Sequence, residues 1–160
     1  MLRIAALMAC FDRKSTTLQC LETLYAAGAE ASVAIDVYLC DDGSTDGTAD
    51  AVLALYPQVH IERTQNLYWA AGMRVAERAA ETSGRTYDFL FWLNDDVKLD
   101  RTAIALLTAE ARQFPSSIIV GATRSEASST VNYSGLNRGG YHPLNFNRAA
   151  PTRPARLVTT

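Results

Sequence analysis

Short apolar runs alternate with amphipathic stretches along most of the chain, and this alternation restricts the possible folds more than any other feature. The apolar runs predict strands at residues 3–9, 33–40, 59–63, 87–93 and 118–120. Apolar residues at helical spacing predict helices at residues 16–27, 48–55, 68–80 and 101–114. Strands that alternate with helices form βαβ units, so we predict an α/β fold with three layers and a mostly parallel central sheet.

The run YDFLFWL at residues 87–93 is apolar apart from one aspartate. A run without polar alternation is typical of a strand that helices cover on both faces. It therefore predicts a central strand of the sheet.

Length and charge indicate a globular domain and restrict its partners. The 160 residues suit one domain with a sizeable core. A formal net charge of −2 argues against nucleic acid as the partner. Residues 121–160 carry five arginines and one glutamate. This basic segment is expected to be solvated, or to meet an anionic ligand or membrane surface, so any membrane association would be peripheral.

The cysteines and the hydropathy pattern bear on the compartment. Cys10, Cys20 and Cys40 form no CxxC pair, which excludes a zinc ribbon and favours reduced thiols in a cytosolic protein. No apolar run approaches the ~18 residues of a membrane helix. We expect a cytoplasmic location, with the inner face of the membrane as an alternative.

Two acidic clusters directly follow predicted strands. The first is DDGSTDGT at residues 41–48, and the second is NDDV at residues 94–97. Both lie at carboxyl ends of strands, so both are expected to face one crevice. Carboxylates gathered there repel one another and need a cationic partner or hydrogen-bond donors, and Mg²⁺ or Mn²⁺ held by one or two carboxylates and phosphate oxygens meets that need. The alternative for the first cluster is a turn that caps the following helix.

Several other sites can be excluded. An EF-hand loop that starts at Asp42 would need glutamate at its twelfth position, where the chain has Leu53. The segment after the first strand contains neither GxGxxG nor a P-loop. His60 and His142 lack the neighbours of a zinc site.

The order of motifs resembles glycosyltransferase family 2. An aromatic-Asp-Arg triplet (residues 11–13) follows the first strand, DDGSTDGT follows the second, and an Asn with an Ala- and Gly-rich helix (residues 66–76) precedes the second acidic cluster. The runs at residues 66–73 and 94–97 are most similar to the rhamnosyltransferase-like branch. The resemblance implies a GT-A-like, Rossmann-type sandwich, here truncated.

The resemblance also implies which residues bind the donor. Ala9 and Phe11 would line the base pocket, and Asp42 would accept a hydrogen bond from a pyrimidine. The full set of implied nucleotide-binding residues is Ala9, Cys10, Phe11, Arg13, Asp42, Gly43, Ser44, Asn66, Gly72, Arg74, Asn94 and Asp95. Asp96 would bind Mg²⁺ or Mn²⁺, with Asp95 beside it. Asn94 replaces the first acid of the family's Asp-x-Asp motif.

The implied activity is metal-dependent, inverting sugar transfer. A hexosyltransferase of this kind moves the sugar from a UDP- or dTDP-type donor to a hydroxyl of a glycan or lipid-linked acceptor, as in polysaccharide biosynthesis. We expect residues 1–124 to form the donor-binding region and residues 125–160 a polar loop with a hairpin near residues 137–140. We expect the general base beyond Thr160, which would leave this part inactive alone. The alternatives are a sugar-phosphate nucleotidyltransferase and a non-catalytic nucleotide-sugar-binding module.

Overall fold

The structure is a computed structural model that describes residues 1–124 and four further strand segments, at residues 131–133, 136–138, 146–148 and 156–157. The chain divides into two compact units, Met1–Thr102 and Ala103–Thr160. No helix in the described part of the chain is both long enough and apolar enough to cross a membrane.

The first unit is a four-stranded parallel sheet with helices between its strands. Its elements are β1 (Arg3–Cys10), α1 (Lys14–Glu30), β2 (Ala34–Asp41), α2 (Thr48–Leu55), β3 (His60–Arg63), α3 (Tyr68–Thr82) and β4 (Phe89–Trp92). The strands lie in the order β3-β2-β1-β4, and every pair is parallel. The predicted α/β fold with a parallel sheet and flanking helices is confirmed.

Alternation along β1 supplies a core to both faces of the sheet. Leu7 and Ala9 belong to one buried cluster with Met73 and Ala76 of α3. The neighbouring residues of β1 point to the opposite face because side chains alternate along a strand. They are also buried, as is Leu24 of α1. Since β1 is buried on both faces, β1 is the central strand.

The prediction that residues 87–93 form a central strand is wrong for the described sheet. β4 lies at its edge, next to β1 alone. Its side chains alternate in exposure, and Leu90 and Trp92 are each about half exposed. The apolar run misleads because α3 covers Trp92 only in part: the ring of Trp69 packs edge-on against Trp92, and both rings stay about half exposed.

The second unit begins with α4 (Ala103–Gln113) and continues in short strands. β5 (Ile118–Ile119) pairs with β10 (Arg156–Leu157), β6 (Thr123–Arg124) with β7 (Val131–Tyr133), and β8 (Leu136–Arg138) with β9 (Phe146–Arg148), all antiparallel. The segment predicted as loop therefore contains more strand than expected. The predicted hairpin near residues 137–140 stays a prediction, because residues 139–145 between β8 and β9 lie outside the described residues. The predicted boundary at residue 124 stays a prediction.

Candidate functional site

A cleft lies at the carboxyl ends of the parallel strands, where the loops that follow β1, β2 and β4 meet. Strand order reverses beside β1, since β2 continues the sheet on one side and β4 on the other. Such a reversal separates the loops and opens a crevice for ligands. The cleft has a volume of about 480 Å³. Its lining residues are Ala9, Cys10, Phe11, Arg13, Asp42, Asn66, Tyr68, Trp69, Asn94, Asp95 and Asp96.

Most of the predicted site residues meet in this cleft, including both acidic clusters. Asp42 and Asp96 line it together, as their positions after two strands predict. Four of the predicted residues do not line it, namely Gly43, Ser44, Gly72 and Arg74. Tyr68 and Trp69 also line it; they lie between Asn66 and Gly72, two of the implied nucleotide-binding residues, but neither aromatic residue was itself assigned a role in binding.

Asp42 fixes the start of α3. Its Oδ1 accepts hydrogen bonds from the Leu67 N–H at 2.9 Å and the Thr64 hydroxyl at 3.0 Å. Its Oδ2 accepts the Tyr68 N–H at 2.7 Å. Partial desolvation raises the pKa of Asp42, but these three donors outweigh it and hold the pKa below its ordinary value. Asp42 is thus an ionised carboxylate with a fixed orientation at the cleft wall.

The other acids of residues 41–48 hold the loop itself. Asp41 accepts the Ser44 N–H at 3.0 Å, and Asp46 accepts the Lys14 N–H at the start of α1 at 2.9 Å. Asp12 crosses in the other direction and accepts the Thr45 N–H at 2.6 Å. Asp46 also accepts the Thr48 N–H at the start of α2 at 2.9 Å, so a turn that caps the following helix accounts for Asp41 and Asp46. It does not account for Asp42, which caps a different helix.

Arg13 joins the ends of β1 and β4. Its guanidinium nitrogen lies 2.9 Å from Oδ2 of Asp96 and 3.5 Å from Oδ1 of Asp95. The two adjacent carboxylates were expected to need a cation, and in this structure Arg13 supplies one. Arg13 is thus one cationic partner within the protein, and a divalent ion on a phosphorylated ligand stays a prediction.

The two carboxylates differ in environment. The Asp95 side chain is 9% exposed, whereas that of Asp96 is 49% exposed. Desolvation raises the pKa of Asp95; Arg13 opposes this shift, and the negative charge of Asp96 adds to it. The Thr17 hydroxyl donates to Oδ2 of Asp95 at 3.4 Å. Asp95 is therefore a buried, held group, and Asp96 is the carboxylate that a ligand in the cleft can reach.

Aromatic rings form much of the rest of the cleft. The indole N–H of Trp69 donates to Oδ1 of Asn94 at 3.1 Å, and its ring meets Trp92 edge-on with centroids 6.0 Å apart. Phe11 and Tyr68 are 57% and 81% exposed. Two aromatic residues at the start of a helix, before its buried face begins at Gly72, are the sequence signal that could have identified this wall.

The four predicted residues outside the lining have other environments. A Cβ added at Gly72 would lie 3.2 Å from the Cβ of Ala9, so Gly72 lets α3 approach the sheet closely. Gly43 has φ +92°, a conformation that favours glycine, and the Ser44 hydroxyl accepts the Asp12 N–H. Arg74 is exposed on α3.

The donor set fits a divalent cation only together with a ligand. Among the described residues there is no group of three or more His, Cys, Asp or Glu side chains that could hold a metal. Mg²⁺ typically takes one or two carboxylates and completes its shell with phosphate oxygens and water. Asp96, with Asp95 behind it, matches that smaller requirement.

The fold and the cleft define an α/β domain with an open crevice where the order of parallel strands reverses. The sequence matches the model of glycosyl transferase family 2 over residues 6–157, and the chain belongs to this family. This confirms the resemblance at the level of the family, while the rhamnosyltransferase-like branch stays a prediction. A search of curated proteins finds no match.

Solved structures of S. aureus TarS, residues 1–349, share this fold. The complex with UDP-GlcNAc has a TM-score of 0.61 at 15% identity; the match covers 84% of this chain and 38% of the TarS chain in that structure. The complex with UDP has a TM-score of 0.60 at 14% identity; the match covers 83% of this chain and 39% of the TarS chain in that structure. A third structure, with no ligand in its description, has a TM-score of 0.59 at 16% identity and covers 91% and 43%. The chain thus spans about two fifths of the TarS chains that it matches.

Proposed function

We propose that this chain is the donor-binding part of a metal-dependent inverting glycosyltransferase, with a UDP- or dTDP-type sugar as donor. The observation that carries the proposal is the cleft, which brings an exposed aromatic ring, an oriented carboxylate and an acidic pair together in a family 2 domain. The fold neighbour TarS, whose structures contain UDP-GlcNAc or UDP, supports a nucleotide ligand.

The base would lie at the end of the cleft formed by Ala9, Phe11 and Asp42. Uracil and thymine present a ring N–H donor, and a fixed carboxylate is a strong acceptor for it. Three protein donors use part of the acceptor capacity of Asp42, and an ionised carboxylate offers about four lone-pair positions. One position remains for the base. Asp42→Ala should weaken binding of a pyrimidine nucleotide by about 1–3 kcal/mol.

The diphosphate would lie at the end formed by Arg13, Asp95 and Asp96. Asp96 would hold Mg²⁺ or Mn²⁺ together with diphosphate oxygens. The ion would neutralise the negative charge that develops on the diphosphate leaving group. Arg13 is close enough to Asp96 to exchange that contact for one with a phosphate oxygen, since guanidinium groups bind both kinds of anion in a bidentate manner. Asp95 would orient the neighbouring groups from its buried position.

Inverting transfer also requires a general base that removes the proton of the acceptor hydroxyl. No described residue is assigned that role, and we expect the base beyond Thr160. A glycan or lipid-linked hydroxyl remains the proposed acceptor. We propose a cytoplasmic location, with the inner face of the membrane as the alternative.

Calorimetric titration of the chain with UDP tests the donor site. We expect binding with Mn²⁺ or Mg²⁺ and much weaker binding with EDTA. Asp96→Asn should lower affinity in the presence of metal by about 10–100-fold, the value of a charge-assisted contact. Asp50→Asn is the matched control, because Asp50 is an exposed α2 aspartate that pairs with Arg63 outside the cleft.

Two results would contradict the proposal. Equal affinity with metal and with EDTA would remove the metal role of Asp96. An absence of UDP binding under every condition would reject the donor site itself. Slow hydrolysis of a UDP-sugar by the chain would indicate an enzyme, whereas an absence of hydrolysis is expected both for the donor-binding part alone and for a non-catalytic binding module.

A further inference from the structure

Tyr68 has a backbone conformation that a tyrosine rarely adopts. Its φ is +61°, in the left-handed region where the Cβ of an L-residue is crowded. Asp12 and Asn66 also have positive φ. Aspartate and asparagine tolerate this region because their short polar side chains bond to the nearby backbone, and tyrosine has no such compensation. Residues held in sparsely populated regions cluster at functional sites.

The fold uses the backbone of Tyr68 and makes little use of its ring. The Tyr68 N–H donates to Oδ2 of Asp42, a bond that any residue except proline could make. The side chain is 81% exposed, so core packing does not require it. Glycine would give the same hydrogen bond at lower conformational cost. The fold alone therefore does not explain an aromatic residue at this position.

The ring lies where a ligand can use it. Tyr68 lines the cleft together with Phe11 and Trp69. Trp69 is already held by its contacts with Asn94 and Trp92. Tyr68 directly follows Leu67, whose N–H donates to Asp42. The Tyr68 side chain is therefore attached to the backbone at the same end of the cleft as Asp42, the carboxylate proposed to bind the base.

We propose that Tyr68 is a further nucleotide-binding residue, whose ring stacks on the pyrimidine base of the nucleotide. This inference rests on the proposed function, since it presumes a nucleotide in the cleft. Stacking needs a flat apolar face, which the base offers and the diphosphate does not. The positive φ of Tyr68 is then kept, despite its conformational cost, because it places the ring over the base.

The test compares Tyr68→Gly, Tyr68→Ala and Tyr68→Phe in the 160-residue chain. Affinities for UMP, UDP and UDP-GlcNAc are measured by calorimetry, and Tm by thermal denaturation. Loss of the ring in the Gly and Ala variants should weaken all three ligands by a similar factor, about tenfold, as for other base-stacking aromatics. The Phe variant should keep wild-type affinity, because phenylalanine retains the stacking face.

Stability separates a role in binding from a role in folding. Glycine relieves the positive-φ strain that alanine keeps, so the Gly variant should melt about 2–4 °C above the Ala variant although both bind poorly. Unchanged affinity in both variants would overturn the inference, as would a loss confined to UDP-GlcNAc, which would place the ring at the sugar. If the wild-type chain bound none of the three ligands, the proposed function itself would fail.

Discussion

Replacement of Asp42 by alanine should cost stability in a pH-dependent manner. The change removes acceptors for the Leu67 and Tyr68 N–H groups at the start of α3 and for the Thr64 hydroxyl. Loss of a helix-capping carboxylate costs about 0.5–2 kcal/mol, and the third bond places Asp42 in the upper part of that range, at about 1–2 kcal/mol. For a chain of this length the Tm should fall by about 2–8 °C.

The sign of the pH dependence follows from the pKa of Asp42. Its donors hold that pKa below the ordinary value in the folded state. A carboxylate with a depressed folded pKa stabilises the fold above the unfolded pKa, near pH 3.9 for aspartate, and this contribution is lost as the pH falls through the folded pKa. The difference in unfolding free energy between wild type and Asp42→Ala should be constant from pH 7 to about pH 5 and should shrink by pH 3.

Chemical denaturation at pH 7, 5 and 3 measures this difference directly. Asp42→Asn is the matched control, since its amide oxygen keeps an acceptor but carries no titrating charge. Its free energy relative to Asp42→Ala should not change over this range. A wild-type to alanine difference that persists undiminished at pH 3 would refute the view that the ionised carboxylate holds the start of α3.

Three further predictions concern packing, charge and thiol chemistry. Gly72→Ala should be destabilising, because the new Cβ would meet the Cβ of Ala9, which the β1 backbone fixes, and overpacking of about 1–3 kcal/mol outweighs the gain of up to about 1 kcal/mol in helix propensity. Gly121→Ala, whose new Cβ would lie at an ordinary 3.8 Å from Leu107, should have little effect in the same denaturation experiment. Arg13→Gln should raise the pKa of Asp95, because the guanidinium that opposes the effect of burial is gone; NMR titration of the Asp95 carboxyl carbon measures this, and an unchanged pKa would contradict the role of Arg13. Burial raises the pKa of Cys20 to about 12, so the native thiols should react with a disulfide reagent at pH 8 far more slowly than those of the unfolded chain, and rapid native labelling would count against a closed core.

The sequence predicts the sheet well because each strand is marked by an apolar run and by the polar residues at which that run stops. β2 ends at Asp41, where the apolar run stops and acidic residues begin. Position after a strand is then enough to bring Asp42 and Asp96 into one cleft, because parallel strands end at the same edge. The order of the motifs also indicates the family, and the match over residues 6–157 confirms that family.

The sequence does not predict how the charges are shared, since this depends on contacts between residues far apart in the chain. Arg13 meets Asp96 across 83 positions, and Asp42 meets Tyr68 across 26. The prediction that residues 87–93 form a central strand fails for a related reason. Apolar composition reports that burial is favourable, but whether a helix or another ring covers Trp92 depends on tertiary packing.

The pairing of Arg13 with the acidic residues has a consequence for how a ligand arrives. The charged residues of the cleft lining are one arginine and three aspartates, a formal charge of −2. A nucleotide carrying several negative charges meets a repulsive field at this entrance, even with the arginine in place. Dissolved salt should therefore accelerate encounter by screening that repulsion, the opposite of its effect on proteins that attract phosphates with basic surfaces. A divalent ion that arrives already bound to the diphosphate would cancel the same field, so the chain would select metal–nucleotide complexes over free nucleotides during diffusion, before any bond in the cleft is made.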